Sequence, residues 1–182
     1  RVRAMFQAVD AAGGLAGLVN NAGVVGPKAR LDEMDMARWQ RMFGINVFGT
    51  LLCAREAVRR LSTRHGGPGG PIVNVSSIAS RLGSPGEYVD YAASKGAVDS
   101  LTVGLAREVA GEGVRVNAVN PGLIETEIHA SGGQPDRLER LAPMVPMRRP
   151  GTADEVAATV CWLLSPAAGY VTGTMVEVGG GR

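Results

Sequence analysis

The 182-residue chain is short of several things, and each shortage excludes something. It has two cysteines, Cys53 and Cys161. They lie far apart in apolar, helix-like segments, so reduced core thiols are expected, with no disulfide framework and no metal-ligand spacing. Neither sign of charge is in surplus: 19 Lys and Arg stand against 17 Asp and Glu, a formal net charge of +2. Without a basic stripe or an acidic tail, nucleic acid is not an expected partner. Every long apolar run is broken by Gly, Asn or charge, so neither a signal peptide nor a membrane span is expected, and a soluble cytoplasmic protein is the default. No G-x-G-x-x-G turn occurs anywhere. What is present is a 45% hydrophobic composition, enough for a core, and a length that suggests one domain. The 26 glycines cluster at segment ends, the mark of tight turns.

Apolar spacing predicts a helix over 1–12, ended by Gly13-Gly14, then a short buried strand in "LAGLVN". A long helix is expected over 35–62 and is stopped by "GGPGG" at 66–70, a flexible helix-to-strand turn. "PIVNVSS" reads as the next strand, 88–110 as a helix, and "VRVNAVN" as a third strand closed by Pro121-Gly122. A looser stretch, 122–150, carries Pro135, Pro143 and Pro146. "TADE" at 152–155 is a capping box that opens a helix to about Leu164, and "TMVEVGG" is a last strand. Helices alternating with apolar strands predict an α/β fold with a parallel sheet covered on both faces, right-handed crossovers, and ligand chemistry at the carboxyl ends of the strands. About four strands and four main helices are counted, with no internal repeat.

Three strand ends carry polar residues: Asn20 to Gly23, Ser76-Ser77, and Asn120 to Gly122. Singly, each reads as turn chemistry. Together they line one edge of one sheet. Tyr91 and Lys95, at i and i+4, share a helix face. A free tyrosine titrates near ~10, and a neighbouring cation, whether Lys95 or a cationic ligand ring, favours the phenolate. With Ser77 to hold a substrate oxygen, the set suits proton transfer to or from an alcohol or carbonyl.

"LVNNAG", "INVFGT", "IVNVSS", "YAASK" and "VNAVNPGLIETE" follow one another in this order along essentially the whole chain. Together they resemble the short-chain dehydrogenase/reductase family. The nearest likeness is to bacterial oxidoreductases of the glucose 1-dehydrogenase-like kind, which carry "RLGSPGEYVDYAASKGA" in much this form. The resemblance implies a Rossmann-like doubly wound parallel sheet, of which these residues form the C-terminal portion. It implies hydride transfer between NAD or NADP and a small alcohol/carbonyl substrate. Asn46, Ser77, Tyr91 and Lys95 match the catalytic residues: Asn46 holds a water in the proton relay, Ser77 orients substrate, Tyr91 is the acid/base, and Lys95 lowers the phenol's pKa and binds the nicotinamide ribose. Asn20, Ala22 and Gly23 match the loop along the cofactor, and Pro121, Gly122, Ile124 and Thr126 the segment at its nicotinamide end. Residues 122–150 match the variable loop over the substrate. No metal is implied. The helices around 35–62 and 88–110 look like the pair that family members pack into a homo-oligomer interface, dimeric or tetrameric.

The departure from the family pattern is at the front. The strand and Gly-rich turn that seat a pyrophosphate at a helix N-terminus are not among these residues. The chain is therefore expected to be an N-terminally incomplete single domain, with "GLVN" as an unpaired apolar edge. The alternative reading is an inactive truncated chain that serves only as a binding or dimerising module. Among smaller features, His129 is expected to be a solvated loop histidine, and Trp39 and Trp162 to pack in a core or an interface. Glu87 and Tyr88 are placed evenly between pocket and surface, and Arg148-Arg149-Pro150 reads as the entry to a capped helix.

Overall fold

A computed structural model describes residues 1–182. Four strands, β1 (Leu18–Asn20), β2 (Gly70–Val75), β3 (Val114–Pro121) and β4 (Met175–Val178), pair in parallel in the order β1-β2-β3-β4. Leu18 is in register with Ile72, Ile72 with Val116, and Val119 with Val176. The expected α/β sheet is thus present. β1 is an edge strand, shorter than "LAGLVN", and its Val19 is exposed.

Helix α1 (Val2–Ala11) leads into β1. Between β1 and β2 run α2 (Met36–Phe43), a π-helical turn (Gly44–Gly49) and α3 (Thr50–Leu61). The sequence predicts one uninterrupted helix here. The π turn is the correction: the path stays helical, but one turn between Gly44 and Gly49 widens. Asp35 starts α2 by accepting the Arg38 amide at 2.8 Å. Short α4 (Ala79–Leu82) and long α5 (Val89–Val109) join β2 to β3. The segment after β3 carries α6 (Ile128–Ser131) and α7 (Arg137–Leu141), then α8 (Ala153–Leu164) leads to β4. The capping box forms as expected: Glu155 N donates to Thr152 Oγ1 at 3.2 Å, and Thr152 N to Glu155 Oε2 at 2.8 Å.

Strand alternation sends successive residues to opposite faces. Ile72, Val114 and Val116 meet Phe6 of α1, Ala57 and Leu61 of α3, and Ala106 of α5. Val73 and Val119 face the other way and meet Leu163 of α8. α3 and α5 therefore cross on one face and α8 on the other, while the strand order advances in one direction. The β3–α8–β4 crossover has the opposite hand to the two before it, which corrects the expectation of uniform right-handedness. The last helix takes the face that the others leave bare, and so both faces of β2 and β3 are covered.

Gly122 and Gly179 carry the chain past the ends of β3 and β4. A Cβ on Gly122 would lie 2.6 Å from the Gly179 α-carbon, so only hydrogen fits. Cys161 is exposed, not core, and Trp162 is 42% exposed; Cys53 is half-buried against the first core. No helix is long and apolar enough to cross a membrane.

Candidate active site

A cavity of about 920 Å³ opens at the carboxyl ends of the strands. β2 ends at Val75, and the next two residues divide their work. Ser76 turns inward and donates to the Lys95 carbonyl at 3.1 Å. Ser77 faces the cavity, and its Oγ accepts the Ala79 amide at 3.1 Å. That bond fixes the oxygen and leaves the hydroxyl proton free to donate. The Tyr91 phenol is near enough for this hydroxyl to act on its pKa.

Tyr91 and Lys95 sit one turn apart on α5, as their spacing requires. Both line the cavity. Burial pushes the Tyr91 phenol above its ordinary value, and the Ser77 hydrogen bond pulls part of the way back. Lys95 is 5% exposed, and burial lowers its pKa to about 8, opposed by nearby Asp99. Its Nζ donates to the Val75 carbonyl at 2.8 Å and lies 5.7 Å from the Tyr91 ring centroid. Desolvation is the larger influence on the phenol, and the Lys95 ammonium is turned toward the Val75 carbonyl.

Asn46, in the π turn, is 1% exposed and does not border the cavity. Its Oδ1 accepts the Val24 amide at 2.8 Å, and its Nδ2 donates to the Val24 carbonyl at 2.9 Å and to Ser94 Oγ at 3.0 Å. One amide thus clamps the loop after β1 to α5. The main-chain oxygen of Asn46 accepts from Thr50 Oγ1 at 2.9 Å. Arg38 repeats the tie nearby, gripping Asp90 at 2.7 and 3.1 Å and the Pro27 carbonyl at 2.7 Å. Gly23 passes close to both groups; a Cβ there would lie 3.4 Å from Lys95 Nζ and 3.5 Å from Asn46 Oδ1.

Gly23, Pro121, Gly122, Ile124 and Thr126 border the same cavity as Ser77, Tyr91 and Lys95. Asn20 and Ala22 do not. Asn20 donates to Asn74 Oδ1 at 2.9 Å, and Asn74 to Thr102 Oγ1 at 2.9 Å, a polar chain beneath the helices; its neighbour Asn21 takes the place at the cavity. His129 is half-buried rather than solvated, with Nε2 at 2.8 Å from the Ile124 carbonyl. Glu87 and Tyr88 border the cavity, as does Arg137, which the sequence reading passes over. Arg149 binds Glu155 at 2.6 Å, holding that carboxyl down to about 2, so this arginine does serve the entry of α8.

Comparison with known proteins bears on what this arrangement is. The family model described as Enoyl-(Acyl carrier protein) reductase matches residues 1–182. An uncharacterized oxidoreductase, YgfF, of Escherichia coli (strain K12) is 55% identical across all of this chain and 74% of its own length. The chain belongs to the short-chain dehydrogenase/reductase family. Another relative, glucose 1-dehydrogenase 2 of Bacillus subtilis (strain 168), is 36% identical over 96% of this chain and 66% of its own length. Among solved structures, a gluconate 5-dehydrogenase from Burkholderia cenocepacia J2315, in complex with NADP and tartrate, superposes with a TM-score of 0.89. It is 33% identical and covers 99% of this chain, which spans 69% of that structure. In this family the resemblance of the five sequence motifs and the three-dimensional likeness point to the same oxidoreductase scaffold.

Proposed function

We propose that the protein transfers hydride between NAD or NADP and a small alcohol/carbonyl substrate, with Tyr91 as the acid/base. The observation that carries this is the half-buried Tyr91 phenol at the cavity. It lies near the Ser77 hydroxyl and the Lys95 ammonium and lines the cavity bordered by Gly23 and the Pro121-Gly122 turn. The residues fit the nicotinamide end of a dinucleotide. Lys95 Nζ spends one donor on Val75 O and keeps two for ribose hydroxyls. Gly23 and Gly122 keep the walls flush with backbone. NAD(P) would supply the hydride chemistry and, when oxidised, a cationic ring that favours the phenolate.

Tyr91 serves first as an acid. Its raised pKa keeps it protonated at neutral pH, ready to give that proton to a carbonyl oxygen. Ser77 donates to the same oxygen and holds it beside the phenol. In the reverse direction Tyr91 accepts the hydroxyl proton. Asn46 acts at one remove, setting the loop at Val24 against α5. Residues 122–150 are proposed as the substrate loop. The exposed apolar side chains Phe48, Leu51 and Leu52 support homo-oligomerisation.

Fluorescence titration with NADH and NADPH, followed by turnover on a panel of small carbonyls, tests the proposal. Tyr91→Phe is expected to keep cofactor affinity and lose about 10²–10⁴-fold in turnover. A variant that turns over like the parent, or a parent that binds neither cofactor, would end this reading.

A further inference from the structure

The buried Lys95 ammonium has no carboxylate at contact. The one hydrogen bond of its Nζ, to the Val75 carbonyl at 2.8 Å, goes to a neutral oxygen. One helical turn further along α5, on the same face, stands Asp99. Asp99 is likewise in no ion pair. Its Oδ2 accepts from Asn120 Nδ2 at 3.2 Å, and its Oδ1 is buried without a hydrogen-bond partner in the protein. Asn120 is 5% exposed, and its Oδ1 is also buried and unpartnered. The amide turns its nitrogen to Asp99, as a carboxylate requires, since both Asp99 oxygens can only accept.

Two opposite charges thus lie one turn apart, and neither has a closer partner. The sheet keeps them together. Val75 is in register with Val119, so Asn120 stands one residue further on, on the adjacent strand. Neighbouring strands run ~4.8 Å apart. Nζ is held at the end of β2 and the Asp99 carboxylate at the end of β3, over adjoining strand ends. Apart from Tyr91 on the same helix face, what surrounds Lys95 is not ionisable: Gly23, Asn46, Val75 and Ser76. The nearest formal pairs are closed on themselves, Arg38 on Asp90 and Arg81 of α4 on Glu177. Asp99 is the charge that acts on Lys95.

We propose that Asp99 is a positioning residue for the reaction: held by Asn120, its carboxylate is the counter-charge that keeps the buried Lys95 side chain an ammonium. This rests on the hydride-transfer reading for what the ammonium is used for, and on the α5 and β3 geometry for the pairing itself. A lone buried ammonium tends to shed its proton, because desolvation penalises the charged form, and an opposite charge ~4–6 Å away favours keeping it. Distance matters in the other direction too. A carboxylate at contact would occupy the donors of Nζ. Asp99, standing beyond contact, supplies charge and leaves two donors for ribose hydroxyls.

Lys28 and Lys95 are the only lysines in the chain, and Lys28 is exposed, so the test can watch Lys95 itself. NMR of protein labelled at the lysine Cε would follow both side chains across the neutral and alkaline range, with no cofactor present. Lys95 is expected to titrate at about 8 in the parent. In Asp99→Asn it is expected to titrate roughly one pH unit or more lower, a tenfold loss of proton affinity, while Lys28 stays where it was. Asp99→Glu, which keeps the charge, is expected to return Lys95 most of the way to the parent; a merely structural role would not follow the charge in this way. If Asp99→Asn does not fold, as judged by circular dichroism, Asp99→Ala removes the same charge and decides. A Lys95 titration that is the same in the parent and in the uncharged variant would overturn the inference. NADPH affinity over the same range is expected to fall as Lys95 loses its proton, and so to fall at lower pH in Asp99→Asn. An affinity indifferent to a Lys95 titration that has moved would count instead against Lys95 at the ribose, and so against the hydride-transfer reading.

Discussion

Lys95 places an ammonium where water is nearly absent, and that choice has a cost that depends on pH. Its folded-state pKa is about 8, below the ordinary 10.5. Between those values the unfolded chain holds the proton and the folded chain has released it. Stability therefore rises with pH across that window, by roughly 3 kcal/mol in all, and the full cost is present below pH 8. Urea denaturation at pH 7 and pH 10 is expected to show this gain in the parent and not in Lys95→Met; equal slopes in the two proteins would refute it. Tyr91, Lys95 and Ser77 were legible in the sequence because one-turn spacing and a strand end are local facts. Glu87 and Arg137 were not legible as a pair: they are 50 residues apart and meet only through the packing of α7 on the turn before α5. Asn20 shows the limit of strand-end reading. One residue decides the face, and Asn20 joins the polar chain while Asn21 borders the cavity.

The elements divide the same way. The α8 cap could be read in advance because both hydrogen bonds lie within four residues of sequence. Thr152→Ala is expected to cost about 1 kcal/mol and Thr152→Ser close to nothing, checked by thermal unfolding of both variants. The helix over 35–62 was legible in extent but not in form. Apolar periodicity does not register a single widened turn, and the contact that this turn makes, from Asn46 to the Val24 backbone, is distant in sequence. Segment 122–150 gave only prolines and polarity to sequence reading. Its two short helices are fixed by tertiary contacts such as His129 to Ile124 and Arg137 to Glu87.

At the scale of the molecule, the parallel sheet and its strand order follow from the alternation of helices and strands, whereas the hand of the final crossover does not. Nothing in the composition of α8 announces which face it covers. The proposed assembly is a question at this scale too. Phe48 is 58% exposed and stands with Leu51 and Leu52 on the outside of the π turn and α3. Light scattering of the parent is expected to give an oligomer, and of Phe48→Glu a smaller species; a monomeric parent would remove the assembly.

The reversed last crossover also divides the hydrophobic interior, with the sheet as the partition. Eight buried residues form the compartment under α1, α3 and α5, and four form the one under α8. The smaller compartment is expected to open while the larger stays shut, with α8 and β4 as a separate cooperative unit, or foldon. Amide hydrogen exchange is expected to release α8 and β4 together, ahead of β2 and β3. Release of all four elements at one common rate would mean that the partition does not divide the protein's motions.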